Sequence, residues 1–159
     1  MALRKPGRGV VHFMRRTTFS FIFILFLFFF SSSVALAQVQ TRIRVIQASN
    51  VGSNIDPSLR DVHSQLGSLF NFTSYRLLRD EILSLSPNQP VSIPVHKGRS
   101  IEITLIGQHR DYAKMKVTIK QEGTEILNTQ VRLSSGRTFL IGGPKHGEGV
   151  IILALSARF

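Results

Sequence analysis

The sequence contains no cysteine, and its 9 acidic residues are few beside its 20 lysines and arginines. Without cysteine the protein has no disulfide, no thiol nucleophile, no thiolate zinc site and no iron–sulfur cluster. An apolar core must therefore hold the fold together, and 159 residues suffice for one ordinary domain. The net charge of +11 is the other strong feature of the composition.

The common catalytic signatures are also missing. Neither G-x-S-x-G nor H-E-x-x-H occurs, and no two acids have the spacing of a general acid and base. Four histidines, His63, His96, His109 and His146, fall on separate predicted elements without ligand spacing. We therefore predict no catalytic, cofactor-binding or metal-ligating residue, no cofactor, and a protein that is not an enzyme. A hydrolase whose site is assembled across the fold stays open as an alternative.

The N-terminus is typical of a secretory signal peptide. A basic segment without acids precedes the apolar run TTFSFIFILFLFFF, and the small-residue exit Ala35-Leu36-Ala37 follows. We expect cleavage after Ala37, which leaves residues 38–159 as a single domain, and a start at Met14 would still give a complete signal. An uncleaved membrane anchor is the alternative, because the apolar run reaches the roughly 20 residues of a spanning helix only if SSSVALA is included.

The segment IDPSLRDVHSQLGSLF, residues 55–70, predicts an amphipathic helix. Asp56 suits the N-cap position and Pro57 the first helical position. The apolar residues fall on one stripe of such a helix, and they are Leu59, Val62, Leu66, Leu69 and Phe70. The following segment TSYRLLRDEILSLS predicts extended structure, with one piece at 74–79 and a second near 81–85, and a helix over 76–85 is the alternative.

From residue 91 onward, apolar and polar residues alternate in a way that predicts strands only. These strands form an antiparallel meander in the C-terminal two thirds of the domain. We therefore predict an α+β fold with one amphipathic helix packed on a mainly antiparallel sheet. RIRVIQ, residues 42–47, predicts a short half-buried strand at a sheet edge. VIILALSARF, residues 150–159, is apolar on both faces and predicts a central strand.

The segment LIGGPKHGEGV, residues 140–150, resembles a phosphate-binding loop only in its glycines. Gly142 and Gly147 have the spacing of a P-loop, but Glu148 stands where that motif needs lysine. The residues that follow favour a strand, whereas a P-loop leads into a helix. We therefore predict a hairpin, with Lys145 at its tip as a possible anion contact.

The segment AKMKVTIKQ, residues 113–121, has the most regular alternation in the chain. Its inward face carries Ala113, Met115, Val117 and Ile119, and its outward face carries Lys114, Lys116 and Lys120. The predicted leader holds five basic residues, so fifteen remain beside nine acids and leave the domain a charge of +6. A solvated outer face explains these lysines. A polyanion- or lipid-binding strand is the alternative, and nucleic acid is not expected because no aromatic residue interleaves with the lysines.

Residues 127–143, LNTQVRLSSGRTFLIGG, resemble the strand, glycine turn, apolar strand and Gly-Gly pair of a short hairpin in secretins, the outer-membrane pores of bacterial secretion systems. The chain departs from that pattern at Pro144. From IDPSLRD through SYRLL to IGGPKHGEGVIILAL, it also resembles short exported bacterial proteins of unassigned activity. Both resemblances imply a protein of the cell envelope, and neither implies a catalytic residue.

These observations together predict an exported, periplasmic or secreted protein that acts by contact. We expect an interaction or structural role, as an accessory to a larger envelope assembly. The expected partner is an envelope protein or another copy of this chain. The expected contact surfaces are the strand at 42–47 and the C-terminal strand that ends in Arg158-Phe159. Contact with the membrane is expected only through an uncleaved leader.

Overall fold

The computed structural model describes residues 38–96 and 98–159, together with residue 3. Ala37–Phe159 form one compact unit. The predicted signal peptide and its cleavage after Ala37 lie outside the described residues and stay predictions.

The unit is a sandwich of two four-stranded antiparallel sheets, not the single sheet that the sequence pattern predicts. Sheet 1 has the strand order β2-β1-β8-β7, and sheet 2 has the order β3-β4-β5-β6. The strands of sheet 1 are β1 (Val39–Ser49), β2 (Ser74–Leu85), β7 (Thr138–His146) and β8 (Gly149–Arg158). Those of sheet 2 are β3 (Pro90–His96), β4 (Arg99–Gln108), β5 (Tyr112–Gln121) and β6 (Thr124–Ser134).

The main core lies between the two sheets, where alternate residues of each strand point inward. The predicted inward residues of β5 are all fully buried, as are Ile101, Ile103 and Leu105 of β4. From sheet 1 the core receives Ile43 and Val45 of β1 and the odd-numbered apolar residues of β8. The two-residue alternation that predicts strands from residue 91 onward is thus confirmed. The predicted meander holds for β3 to β6 in sheet 2, whereas β7 and β8 belong to sheet 1.

The predicted helix over 55–70 is much shorter in the structure. A single 3-10 turn, Pro57–Leu59, is followed by the seven-residue helix α1, His63–Leu69. Asp56 does cap the turn, and its carboxylate accepts a hydrogen bond from the Ser58 N–H at 3.0 Å. The apolar stripe is only partly confirmed, because Leu69 is 61% exposed. The fold is therefore dominated by strands, with one short helix.

This segment between β1 and β2 covers part of the outer face of sheet 1. Leu59, Val62 and Leu66 pack there in a second apolar cluster. The sheet contributes Ile46, Ala48, Tyr75, Leu140, Ile152 and Ala154 to the same cluster. β8 is therefore apolar on both faces because it is buried on both, and the predicted central position of this strand is confirmed.

Two predictions about strands 1 and 2 are wrong. β1 is an eleven-residue central strand that pairs with both β2 and β8, so it offers no free edge. The alternating arginines of β1 predict a solvated face. Arg44 is nevertheless buried, and it forms an ion pair with Asp61. Residues 74–85 form the single strand β2, so the extended structure is confirmed and the expected division into 74–79 and 81–85 is wrong. The ladder with β1 is irregular after Leu77.

The glycine-rich segment is the β7–β8 hairpin, as predicted, with only Gly147 and Glu148 in the turn. Gly147 has φ +59°, a conformation that glycine adopts without steric cost. Gly149 crosses β1 so closely that a Cβ would overlap the carbonyl oxygen of Ala48. The backbone of the hairpin therefore requires glycine at these two positions. Residues 127–143 are not a hairpin, because β6 and β7 belong to different sheets.

Candidate functional site

The outer face of sheet 2 carries the predicted lysines. Lys114, Lys116 and Lys120 lie on this face of β5 and are all half-buried. The neighbouring strands contribute polar residues, and Arg132 of β6 stands directly opposite Lys114 in the ladder. We call Lys114, Lys116 and Arg132 the basic face.

The three lysines are not equivalent. Lys120 donates a hydrogen bond from Nζ to Oε2 of Glu102 at 2.8 Å, so its charge is compensated. Among the described residues, no carboxylate lies within ion-pair distance of any member of the basic face. Lys145 is remote from it in the topology, since it lies at the end of β7 in the other sheet.

An aromatic residue does lie beside these lysines, contrary to the sequence analysis. Tyr112 begins β5 on the same face as Lys114, and its ring lies 5.3 Å from the Cζ of Arg132. The ring also stacks on His109, with 4.3 Å between the centroids. A cation over a tyrosine ring is attracted by the ring's quadrupole, so Tyr112 positions Arg132 on the basic face.

A second cluster forms at the end of the sandwich where the β3–β4 and β7–β8 hairpins meet. His96 and His146 are separate in sequence, yet their ring centroids lie 6.1 Å apart. Arg99 and Lys145 line the same cavity of about 340 Å³. We call His96, Arg99, Lys145 and His146 the end cluster.

Sequence motifs do not reveal the end cluster, because its members come from three strands of two sheets and are far apart in sequence. The remaining histidines do not join it. His63 is exposed on α1, and the ring of His109 stacks on Tyr112. Within residues 38–96 and 98–159, no group of three or more His, Asp or Glu side chains is placed to hold a metal ion.

A second cavity, of about 290 Å³, lies on the part of sheet 1 that the helical segment leaves uncovered. Of its three arginines, Arg42 and Arg44 are neutralised, and Arg158 is not neutralised by any described residue. Arg42 binds both carboxylate oxygens of Asp80 at 2.8 and 2.5 Å, and Arg44 binds both of Asp61. This cavity therefore presents much less uncompensated charge than the basic face.

In the described part of the chain, no helix is both long and apolar enough to cross a bilayer. No protein-family model matches the sequence, and no curated protein or solved structure is significantly similar to it. The resemblances to secretins and to short exported proteins therefore stay predictions, and the site must be interpreted from its own geometry.

Proposed function

We propose that this protein is an exported, non-enzymatic domain that binds a linear polyanion through its basic face. The observation that carries the proposal is the register of β5 and β6, which sets Lys114 directly opposite Arg132. Like charges that face each other across a ladder destabilise a sheet. An anionic ligand placed between the two side chains turns that repulsion into attraction.

The spacing of the basic face suits a polymer with charges at regular intervals. Lys114 and Lys116 are two residues apart on one strand, which corresponds to about 7 Å. Arg132 lies across the ladder, with its Cβ about 5 Å from that of its partner. Both lysines are half-buried, so their aliphatic stems lie along the sheet while the ammonium groups reach solvent.

The chemistry favours an anionic polysaccharide over nucleic acid. Sheets that bind single strands stack bases on aromatic faces. Tyr112 is the aromatic residue of this surface, and His109 and Arg132 already occupy its ring. The expected export of the protein agrees with a polysaccharide of the cell envelope as the ligand.

The test is an NMR titration of the protein with a sulfated oligosaccharide, read from backbone amide shifts. We expect saturable shifts on the outer-facing residues of β4, β5 and β6, and their loss in a Lys114→Gln/Lys116→Gln/Arg132→Gln variant. A control variant, Arg60→Gln/Arg79→Gln/Arg137→Gln, removes the same charge from exposed positions elsewhere. Shifts that avoid these strands, or that the control variant abolishes equally, would contradict the proposal.

A second candidate function is contact with an envelope protein or with another copy of this chain, and the exposed edge of β2 favours it. Near the start of this edge Tyr75 pairs with Ile55, and beyond Leu77 no described residue pairs with the edge. Ile82 lies in this unpaired part and is 72% exposed.

The edges of β3 and β7 carry prolines, which hinder pairing, at Pro94 and Pro144. The edges of β2 and β6 carry no proline. Because Ile82 of β2 is more exposed than Ile126 of β6, β2 replaces β1 as the edge proposed to accept a strand.

This candidate is tested by light scattering of the purified protein and by retrieval of partners from detergent-solubilised envelope. We expect a dimer or a specific partner that Ile82→Lys abolishes. Ile126→Lys on β6, where the side chain is 44% exposed, serves as the matched control. A monomer that retrieves no envelope protein would exclude this second function and leave the first untouched.

A further inference from the structure

The end cluster surrounds a cavity whose described lining is basic or amide-bearing. Five strands from both sheets contribute the side chains that line it, and they are Gln47, His96, Arg99, Gln121, Lys145 and His146. A volume of about 340 Å³ lies near the lower end of the range found for small-molecule sites. The cavity is thus large enough for a small ligand and carries no acid in its lining.

Arg99 is held in place at the wall of this cavity. Its Nε donates to Oε1 of Gln121 at 2.9 Å, and its Nη1 donates to the carbonyl oxygen of Lys145 at 2.9 Å. The same Nη1 lies 3.2 Å from Nδ1 of His146. Nη2 has no partner among the described residues, so the guanidinium is fixed along one side while its other terminal nitrogen remains available as a donor.

A second layer fixes the hairpin behind the cavity. Gln47 donates from Nε2 to the carbonyl oxygen of His146 at 3.2 Å. Arg76 in turn donates from Nη2 to Oε1 of Gln47 at 2.7 Å. The position of His146 is therefore set from β1 and β2 as well as from β4, which gives the site the preorganisation that small-ligand binding requires.

The charge of the region is strongly unbalanced. Arg76, Arg99 and Lys145 are permanent cations, and none of them has an ion-pair partner among the described carboxylates. The nearby acids Glu122 and Glu148 lie on exposed turns. Such a concentration of positive charge stabilises a bound anion and disfavours binding of a cation.

The imidazole of His146 responds to this environment. Burial lowers its pKa below the ordinary 6.5, and the positive charges of Arg99, His96 and Arg76 lower it further. With Nδ1 facing the Arg99 donor, the neutral ring carries its proton on Nε2. Neutral His146 is thus a hydrogen-bond donor at neutral pH.

We propose that the end cluster is a binding site for a small tetrahedral oxyanion, the phosphate or sulfate group of a small molecule or the free ion. Arg99 supplies donors from a fixed guanidinium, Lys145 supplies a mobile point charge, and the histidine rings supply N–H donors. The site is separate from the basic face, so either can exist without the other.

Binding must be linked to protonation of His146. An anion in the cavity favours the imidazolium form of His146, so it raises the pKa of that group. By reciprocity, protonation of His146 strengthens anion binding. For an anion whose charge is constant in this range, such as sulfate, the structure therefore predicts tighter binding as the pH falls through the lowered pKa of His146.

The experiment follows the ring nitrogen signals of His96 and His146 by NMR as a function of pH, with inorganic phosphate, glycerol 2-phosphate or chloride at matched ionic strength. We expect both phosphates to raise the pKa of His146 and chloride to leave it unchanged. The phosphate that binds more tightly identifies the source of the ligand, as the free ion or a phosphomonoester.

Variants assign the effect to the cluster. Lys145→Gln changes an exposed side chain and is expected to weaken phosphate binding about tenfold, the effect of one charge-assisted hydrogen bond. Arg99→Gln is expected to weaken it at least as much, and Lys145→Gln keeps the proposal testable if the Arg99 variant does not fold. Arg60→Gln, at an exposed position outside both surfaces, is the control and should bind normally. Equal responses to phosphate and chloride, or equal losses in the Arg60 and Lys145 variants, would overturn the proposal.

Discussion

Arg44 of β1 donates two hydrogen bonds to Asp61, from Nη1 to Oδ1 at 2.7 Å and from Nη2 to Oδ2 at 2.9 Å. The arginine side chain is only 3% exposed, whereas that of the aspartate is 58% exposed. The pair joins the segment between β1 and β2 to the outer face of sheet 1. Arg44 can be buried on a central strand because that segment supplies the carboxylate that pairs with its guanidinium.

Loss of the carboxylate should be costly because it leaves a buried guanidinium without its partner. We expect Asp61→Ala to lower the free energy of unfolding by about 1–3 kcal/mol. The corresponding change Asp80→Ala should cost at most about 1 kcal/mol, because Arg42 in that pair is 44% exposed. Urea unfolding of both variants measures the difference. Equal stabilities would show that burial of Arg44 does not depend on Asp61.

The same ion pairs predict loss of stability in acid. The hydrogen bonds from Arg44 and Arg42 hold the pKa values of Asp61 and Asp80 below the ordinary 3.8. Because the folded pKa lies below the unfolded one, each group stabilises the fold above pH 3.8, and this stabilisation disappears as the pH falls through the folded value. Unfolding measured between pH 5 and about pH 2 should show this decrease. An Asp61→Asn/Asp80→Asn variant should be less stable at pH 5 and lose less stability on acidification.

Two glycine substitutions should act in opposite directions. Gly149→Ala should destabilise the protein strongly, because the new methyl group would overlap the backbone of Ala48 in the neighbouring strand. Gly67→Ala meets no atom within 4 Å and lies inside α1, so it should stabilise by about 0.4–1 kcal/mol. Thermal unfolding of both variants is the measurement. A Gly149→Ala protein of normal stability would contradict the close approach of β8 to β1.

The strands could be predicted from sequence where one face is apolar and the other polar. Ala113 and Met115 point inward as their positions in an alternating run require. The pattern could not show that the strands divide between two sheets. A strand alternates between apolar and polar residues in the same way whether its apolar face packs on a helix or on a second sheet. It also failed at β1, because Arg44 looks solvated until its pairing with Asp61 is known.

The predicted helix failed for a different reason. Leu59, Val62 and Leu66 have helical spacing and are indeed buried, so the stripe correctly identified residues that pack on the sheet. The backbone nevertheless changes from a 3-10 turn to an α-helix between them. These three residues of the stripe thus pack on the sheet as predicted, although the segment is not one continuous helix.

The two proposed anion-binding surfaces differ in how much of them the sequence could reveal. Tyr112 lies two residues before Lys114, so alternation alone places both on one face. The position of Arg132 requires the register of β5 and β6. The end cluster requires the whole topology, because His96 and His146 meet only when hairpins of different sheets end side by side.

The most direct test of the polyanion proposal is the salt dependence of binding to a sulfated oligosaccharide. Each cation that contacts the polymer releases bound counterions, so the slope of log affinity against log salt counts those contacts. We predict that Lys114→Gln/Lys116→Gln/Arg132→Gln reduces the slope by about 2 to 3, and that Arg60→Gln/Arg79→Gln/Arg137→Gln leaves it unchanged. Equal slopes for the two charge-matched variants would contradict a binding site on the basic face.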